Sequence, residues 1–159
     1  ARQNAAFYGV ENVNSTSQVA EALLVRGVEL TEKTETGKWK VDKKALTQTT
    51  DESYCKIMFG DVAWTDYSVT VDVTVGKGKH PCNCVGLLIR ADEKGENGYR
   101  FWIRTAQHMG QVSRWVDNKF QHLKTPIPPK AESGKTYRMK IITKGKNFQF
   151  FLNRSNKLE

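Results

Sequence analysis

Asp66-Tyr-Ser-Val-Thr-Val-Asp-Val-Thr-Val75 alternates without interruption. Tyr67, Val69, Val71, Val73 and Val75 fall on one side of an extended chain, and Ser68, Thr70, Asp72 and Thr74 on the other. A period of two marks a strand with one buried face, and β-branched side chains suit the pleat. Gly76-Lys-Gly-Lys-His-Pro81 stops the run. Cys84 to Ala91 follows, with Val85, Leu87 and Ile89 on one side and Gly86, Leu88 and Arg90 on the other. After the turn-like segment 92–98, Tyr99, Phe101 and Ile103 alternate with Arg100, Trp102 and Arg104. Residues 110–117 read as a strand, 120–124 as a short one, and Pro126, Pro128 and Pro129 as a loop that cannot donate to a ladder. A hairpin joins 136–143 to 147–153 through Lys144-Gly145-Lys146, and short strands are expected at 39–41, 45–49 and 54–59. In the last of these Cys55, Ile57 and Phe59 share a face, so Cys55 reads as a small core residue. The one helix signal is Gln18 to Arg26, preceded by Ser15 and followed by Gly27. The expected fold is all-β, a sandwich or a barrel, with at most one short helix.

The 159 residues suit one domain, with a core large enough to need no metal or disulfide staple. An N-terminal strand and helix fill 1–27, and the main body spans 28–153. No apolar run is long enough to cross a bilayer as a helix, so membrane insertion is not expected. The chain begins Ala1-Arg2-Gln3 without a signal-peptide pattern and reads as a cut-out domain or a mature fragment. Lys plus Arg is 25 against 17 Asp plus Glu, a net charge of +8 that favours anionic partners. Its clusters (Lys38, Lys40, Lys43, Lys44; Lys77, Lys79, His80; Lys135, Lys140, Lys144, Lys146) lack the interleaved aromatics of nucleic-acid modules, so nucleic acid is not an expected partner. Cys55, Cys82 and Cys84 are odd in number, and only a bridge from Cys55 to one of the other two is open. Cys-x-Cys near His80 does not match zinc spacing.

Several spaced residues carry a resemblance: Gly37-Lys-Trp39, Trp64-Thr-Asp66-Tyr67, Val85-Gly86-Leu87-Leu88-Ile89-Arg90, Asn97-Gly98-Tyr99-Arg100-Phe101 and Gly134-Lys-Thr-Tyr137-Arg-Met139. Over roughly 37–153 the order resembles concanavalin A-like (laminin G-like) jelly-roll domains. It is similar to 3-keto-disaccharide hydrolase-related domains and sandwich carbohydrate-binding modules. The resemblance implies a two-sheet antiparallel β-sandwich (jelly roll), a sugar site on a concave face or at one end, and a secreted, extracellular or cell-surface setting. It also implies a closing strand beside the first. Residues around 5–13 are expected to supply that strand, in cis or from a neighbouring molecule, unless they form an ordinary first strand. Trp39 and Trp64 pack the core edges, and Asp66 caps a turn or binds calcium, capping being the commoner use.

Glycoside hydrolysis ordinarily needs two carboxylates across one cleft. The central strands offer Asp72 alone, while Asp92, Glu93 and Glu96 crowd a turn. No nucleophile motif accompanies His80, His108 or His122. Binding is the better reading. Asp72, Arg90, Arg100, Trp102, Arg104 and either Arg114 or Trp115 share outward parity and form one polar, aromatic patch if their strands are neighbours. Indole faces stack on sugar C–H groups, and guanidinium forks suit hydroxyl or acidic substituents. The expected function is a non-catalytic, lectin-like module for a polar or anionic glycan, requiring no cofactor unless calcium. The alternatives are a hydrolase of the 3-keto-disaccharide type and a protein-interaction or assembly module. An open Trp102 platform further implies that Trp102→Ala spares stability.

Overall fold

The computed structural model describes residues 4–10, 16–17, 37–42, 45–49, 55–59, 64–75, 84–92, 94–105, 109–117, 119–127 and 130–154. Strands β1 (Asn4–Val10), β2 (Thr16–Ser17), β3 (Trp39–Asp42), β4 (Ala45–Gln48), β5 (Cys55–Phe59) and β6 (Tyr67–Thr74) come first. Strands β7 (Cys84–Ala91), β8 (Gly98–Arg104), β9 (Met109–Val116), β10 (Lys119–Ile127), β11 (Thr136–Lys144) and β12 (Asn147–Arg154) complete the order. Among the described residues there is no helix; the segment 18–26 lies outside them. The described strands form two six-stranded sheets, ordered β10-β9-β8-β7-β1-β5 and β12-β11-β6-β2-β4-β3. Every strand pair is antiparallel. The chain is a two-sheet antiparallel β-sandwich.

Alternation places the core. Val71 and Val73 of β6, Met139 and Ile141 of β11 and Leu152 of β12 meet Val85, Leu87 and Ile89 of β7, Phe101 and Ile103 of β8 and Ile57 of β5. Aromatic pairs join the two sheets, Phe101 lying edge-on to Phe150 at 5.3 Å and Tyr99 against Phe148 at 4.6 Å. Cys55 is buried on the core side as its parity requires, and its Sγ accepts a hydrogen bond from Gln48 Nε2 at 3.0 Å. Trp39 packs against the core edge. Asp66 caps a turn: its Oδ1 accepts from Gly145 N at 2.8 Å, closing the β11–β12 hairpin. Before β11, the Tyr137 hydroxyl accepts from Glu132 N at 2.7 Å and donates to the Lys130 carbonyl at 3.2 Å, pinning the loop to the buried ring.

Three features depart from simple alternation. Arg90 has φ of 50°, and the β1 register passes from Ala6 opposite Leu88 to Asn4 opposite Ala91. That is a bulge in β7: one extra residue reverses the parity of the positions after it. Second, β10 runs through Pro126 to Ile127 rather than giving way to a loop. It is an edge strand, where a missing N–H is tolerated. Third, β1 lies inside its sheet, between β5 and β7 of the same chain.

Candidate functional site

The outer face of the first sheet is built by register. On β8, Arg100 lies opposite Ser113 of β9 and Trp102 opposite Gln111. On β10, Phe120 lies opposite Trp115 and His122 opposite Ser113. On the other side of β8, Trp102 faces Gly86 of β7 and Arg100 faces Leu88. Gly86 is required there, because a Cβ would sit 2.6 Å from Trp102 Cβ and 2.3 Å from the Phe101 carbonyl oxygen.

Aromatic rings surround one cation. The Arg100 guanidinium carbon lies 3.4 Å from the Trp102 ring centroid, 4.7 Å from Trp115 and 5.4 Å from Phe120. Arg104 covers Trp102 as well, at 4.9 Å. Such contacts strengthen when water is excluded, and Arg100 is 1% exposed. Its Nε donates to Ser113 Oγ at 3.4 Å. Trp115 stacks on Phe120, the planes 11° apart, and Phe120 meets His122 edge-on at 5.1 Å. Gln111 Nε2 lies 3.4 Å from His122 Nε2.

The cluster grades from closed to open across the sheet. Trp102 is 4% exposed and Trp115 8%, whereas Phe120 at the edge is 46% exposed. Trp102 is therefore no open platform, since its ring lies under two guanidinium groups. Within the cluster, Trp102 Nε1 and Gln111 Oε1 are buried without a hydrogen-bond partner among the described residues. The six described strands of this sheet carry Lys56, Arg90, Arg100, Arg104, Arg114, Lys119 and Lys124 and no Asp or Glu.

Of the residues expected to share one patch, Arg100, Trp102, Arg104 and Trp115 come together. The other three do not. The β7 bulge turns Arg90 toward the other sheet: its backbone N–H donates to the Tyr67 hydroxyl, its guanidinium donates to the Gly145 carbonyl, and it lies 4.7 Å over Phe148. Arg114 is exposed on the opposite side of β9 from Trp115. Asp72 lies on the outer face of the second sheet, where Arg138 of β11 grips its two oxygens at 2.8 and 2.7 Å. Gln111, Ser113, Phe120 and His122 join the cluster although they were not expected in it. The parity of Gln111 and Ser113 with Trp115 is the signal that locates the first two.

At the far side of this sheet, Lys56 donates to the Lys94 and Gly95 carbonyls, tying the β7–β8 loop to β5. Burial lowers its pKa, against the opposing charges of Asp92 and Glu96. Burial likewise raises the pKa of Tyr67, opposed by the Arg90 N–H and the Arg90 charge. No group of three or more His, Cys, Asp or Glu able to hold a metal occurs among the described residues. Cys55 and Cys84 are buried thiols on opposite sides of their sheet, so they do not bridge each other; Cys82 lies outside the described residues. No helix among those residues is long and apolar enough to cross a membrane. Comparison with protein-family models, curated proteins and solved structures finds no match.

Proposed function

We propose that the chain is a non-catalytic carbohydrate-binding β-sandwich module of an extracellular or surface protein, taking a polar or anionic glycan at the β8–β9–β10 face. The supporting observation is the half-open Phe120 ring, stacked on Trp115 and backed by the buried Arg100. An exposed ring held rigid from behind offers a sugar's C–H face a large contact at small entropic cost. His122 beside it supplies a polar edge. The described strands of this sheet offer no carboxylate pair for acid–base cleavage of a glycosidic bond. A concanavalin A-like assignment of the sandwich is part of this proposal.

An assembly module built by strand addition fits less well. β10 is guarded by Lys119, the missing N–H of Pro126 and two register shifts, devices that blunt edge pairing. A glycan array with the purified domain tests the proposal. At least one oligosaccharide is expected to bind, with Phe120→Ala weakening it at least tenfold and EDTA leaving it unchanged. A blank array, or binding indifferent to Phe120→Ala, overturns it.

A further inference from the structure

We infer that Trp102 and Gln111 together hold one hydroxyl group of a neutral sugar, the innermost contact of the site; this rests on the glycan reading above. Both side chains are almost fully buried, 4% and 2% exposed, and directly opposite each other on β8 and β9. Trp102 Nε1 and Gln111 Oε1 lack partners among the described residues, and a buried polar group left unpaired is costly. One of the two atoms donates and the other accepts. A hydroxyl answers both at once, since it carries a proton and lone pairs.

A carboxylate or sulfate oxygen would satisfy the indole N–H but set acceptor against acceptor at Oε1. The orientation of Gln111 is what makes that choice. Its Nε2 is engaged toward His122 Nε2 at 3.4 Å, which leaves Oε1 as the remaining group of the amide. Access comes from the open side. Gln111 lies one strand in from β10, where Phe120 and His122 are exposed. A sugar ring stacked on Phe120 would thus direct a hydroxyl inward past His122.

The test is a titration of the isotopically labelled, unmodified chain followed through the Trp102 indole N–H resonance, assigned by its contacts to Arg100. The probes are methyl β-D-glucopyranoside, methyl β-D-glucuronide and sodium sulfate. The neutral glycoside is expected to shift that resonance more than either anion does. Trp102→Phe, which keeps a ring but loses the N–H, is expected to weaken the glycoside about three- to tenfold. A larger shift with glucuronide or sulfate overturns the hydroxyl assignment while leaving an anionic glycan as ligand. A glycoside that perturbs Phe120 but leaves the Trp102 indole unmoved also overturns it, and assigns the pair to an ordered water. If neither sugar moves any resonance, the inference fails, and the array result alone decides the broader function.

Discussion

Trp102 shows how parity and burial differ at a single residue. Its outward parity on β8 is legible from the alternation with Phe101 and Ile103. Its burial is not, because the covering guanidinium groups of Arg100 and Arg104 arrive two residues away on the same face. The expectation that Trp102→Ala spares stability accordingly reverses. Truncating this buried ring should cost about 3–5 kcal/mol, read as a fall in the urea midpoint with little change in slope. Asp92 illustrates a residue whose charge is structural. Burial alone would raise its pKa, but hydrogen bonds from the Asn97 side chain and the Glu96, Asn97 and Gly95 N–H groups outweigh it, and the net shift is downward. A depressed folded value means stability that is present above the unfolded pKa of about 3.9 and lost as pH falls through the lower folded value. Asp92→Asn should flatten the acid limb of a stability–pH profile in that window; an unchanged limb would contradict the assignment.

Among the elements, β6 and β11 follow their alternation from end to end, as Val71, Val73, Met139 and Ile141 all reach the core. β7 does so only as far as Ile89. The bulge has no sequence mark, because Arg90 stands where glycine or asparagine would announce a left-handed residue. Its contacts to Gly145, Thr65 and Tyr67 hold that conformation. Removing the side chain separates the two effects. Arg90→Ala loses the guanidinium contacts to Gly145 and Thr65 and keeps the backbone cost, whereas Arg90→Gly loses both; each keeps the backbone N–H bond to Tyr67. Thermal denaturation should therefore find Arg90→Gly about 1–2 kcal/mol more stable than Arg90→Ala, and equal stabilities would argue against the bulge. Pro126 misled in the other direction. A proline is a poor strand marker in general, and only the edge position of β10 makes it harmless.

For the whole molecule, alternation showed which residues point outward but not which sheet they belong to. Asp72 and Trp102 are both outward, and the sheet order puts them on opposite sides of the sandwich. That order depends on contacts between distant segments, to which local periodicity is blind. The placement of β1 is the clearest case. Deleting residues 1–10 would leave β5 and β7 without their shared neighbour, and the truncated chain should lose cooperative unfolding and aggregate. A soluble, cooperative truncation would show β1 to be dispensable.

The same strand bears on how the protein comes to be folded. Phe7 is paired with Ile57 on one side and Leu87 on the other. During synthesis, which proceeds from the N-terminus, β1 is made first and yet has no partner until β5 and β7 have been made. The next described strand in sequence, β2, belongs to the other sheet. Closing loops of that length before any pairing rewards them slows folding. A refolding time in the range of about milliseconds to seconds is the natural one for such a topology. Until β1 is in place, β5 and β7 lack their shared neighbour, and unpaired strand edges invite pairing between chains, so refolding yield should fall as protein concentration rises.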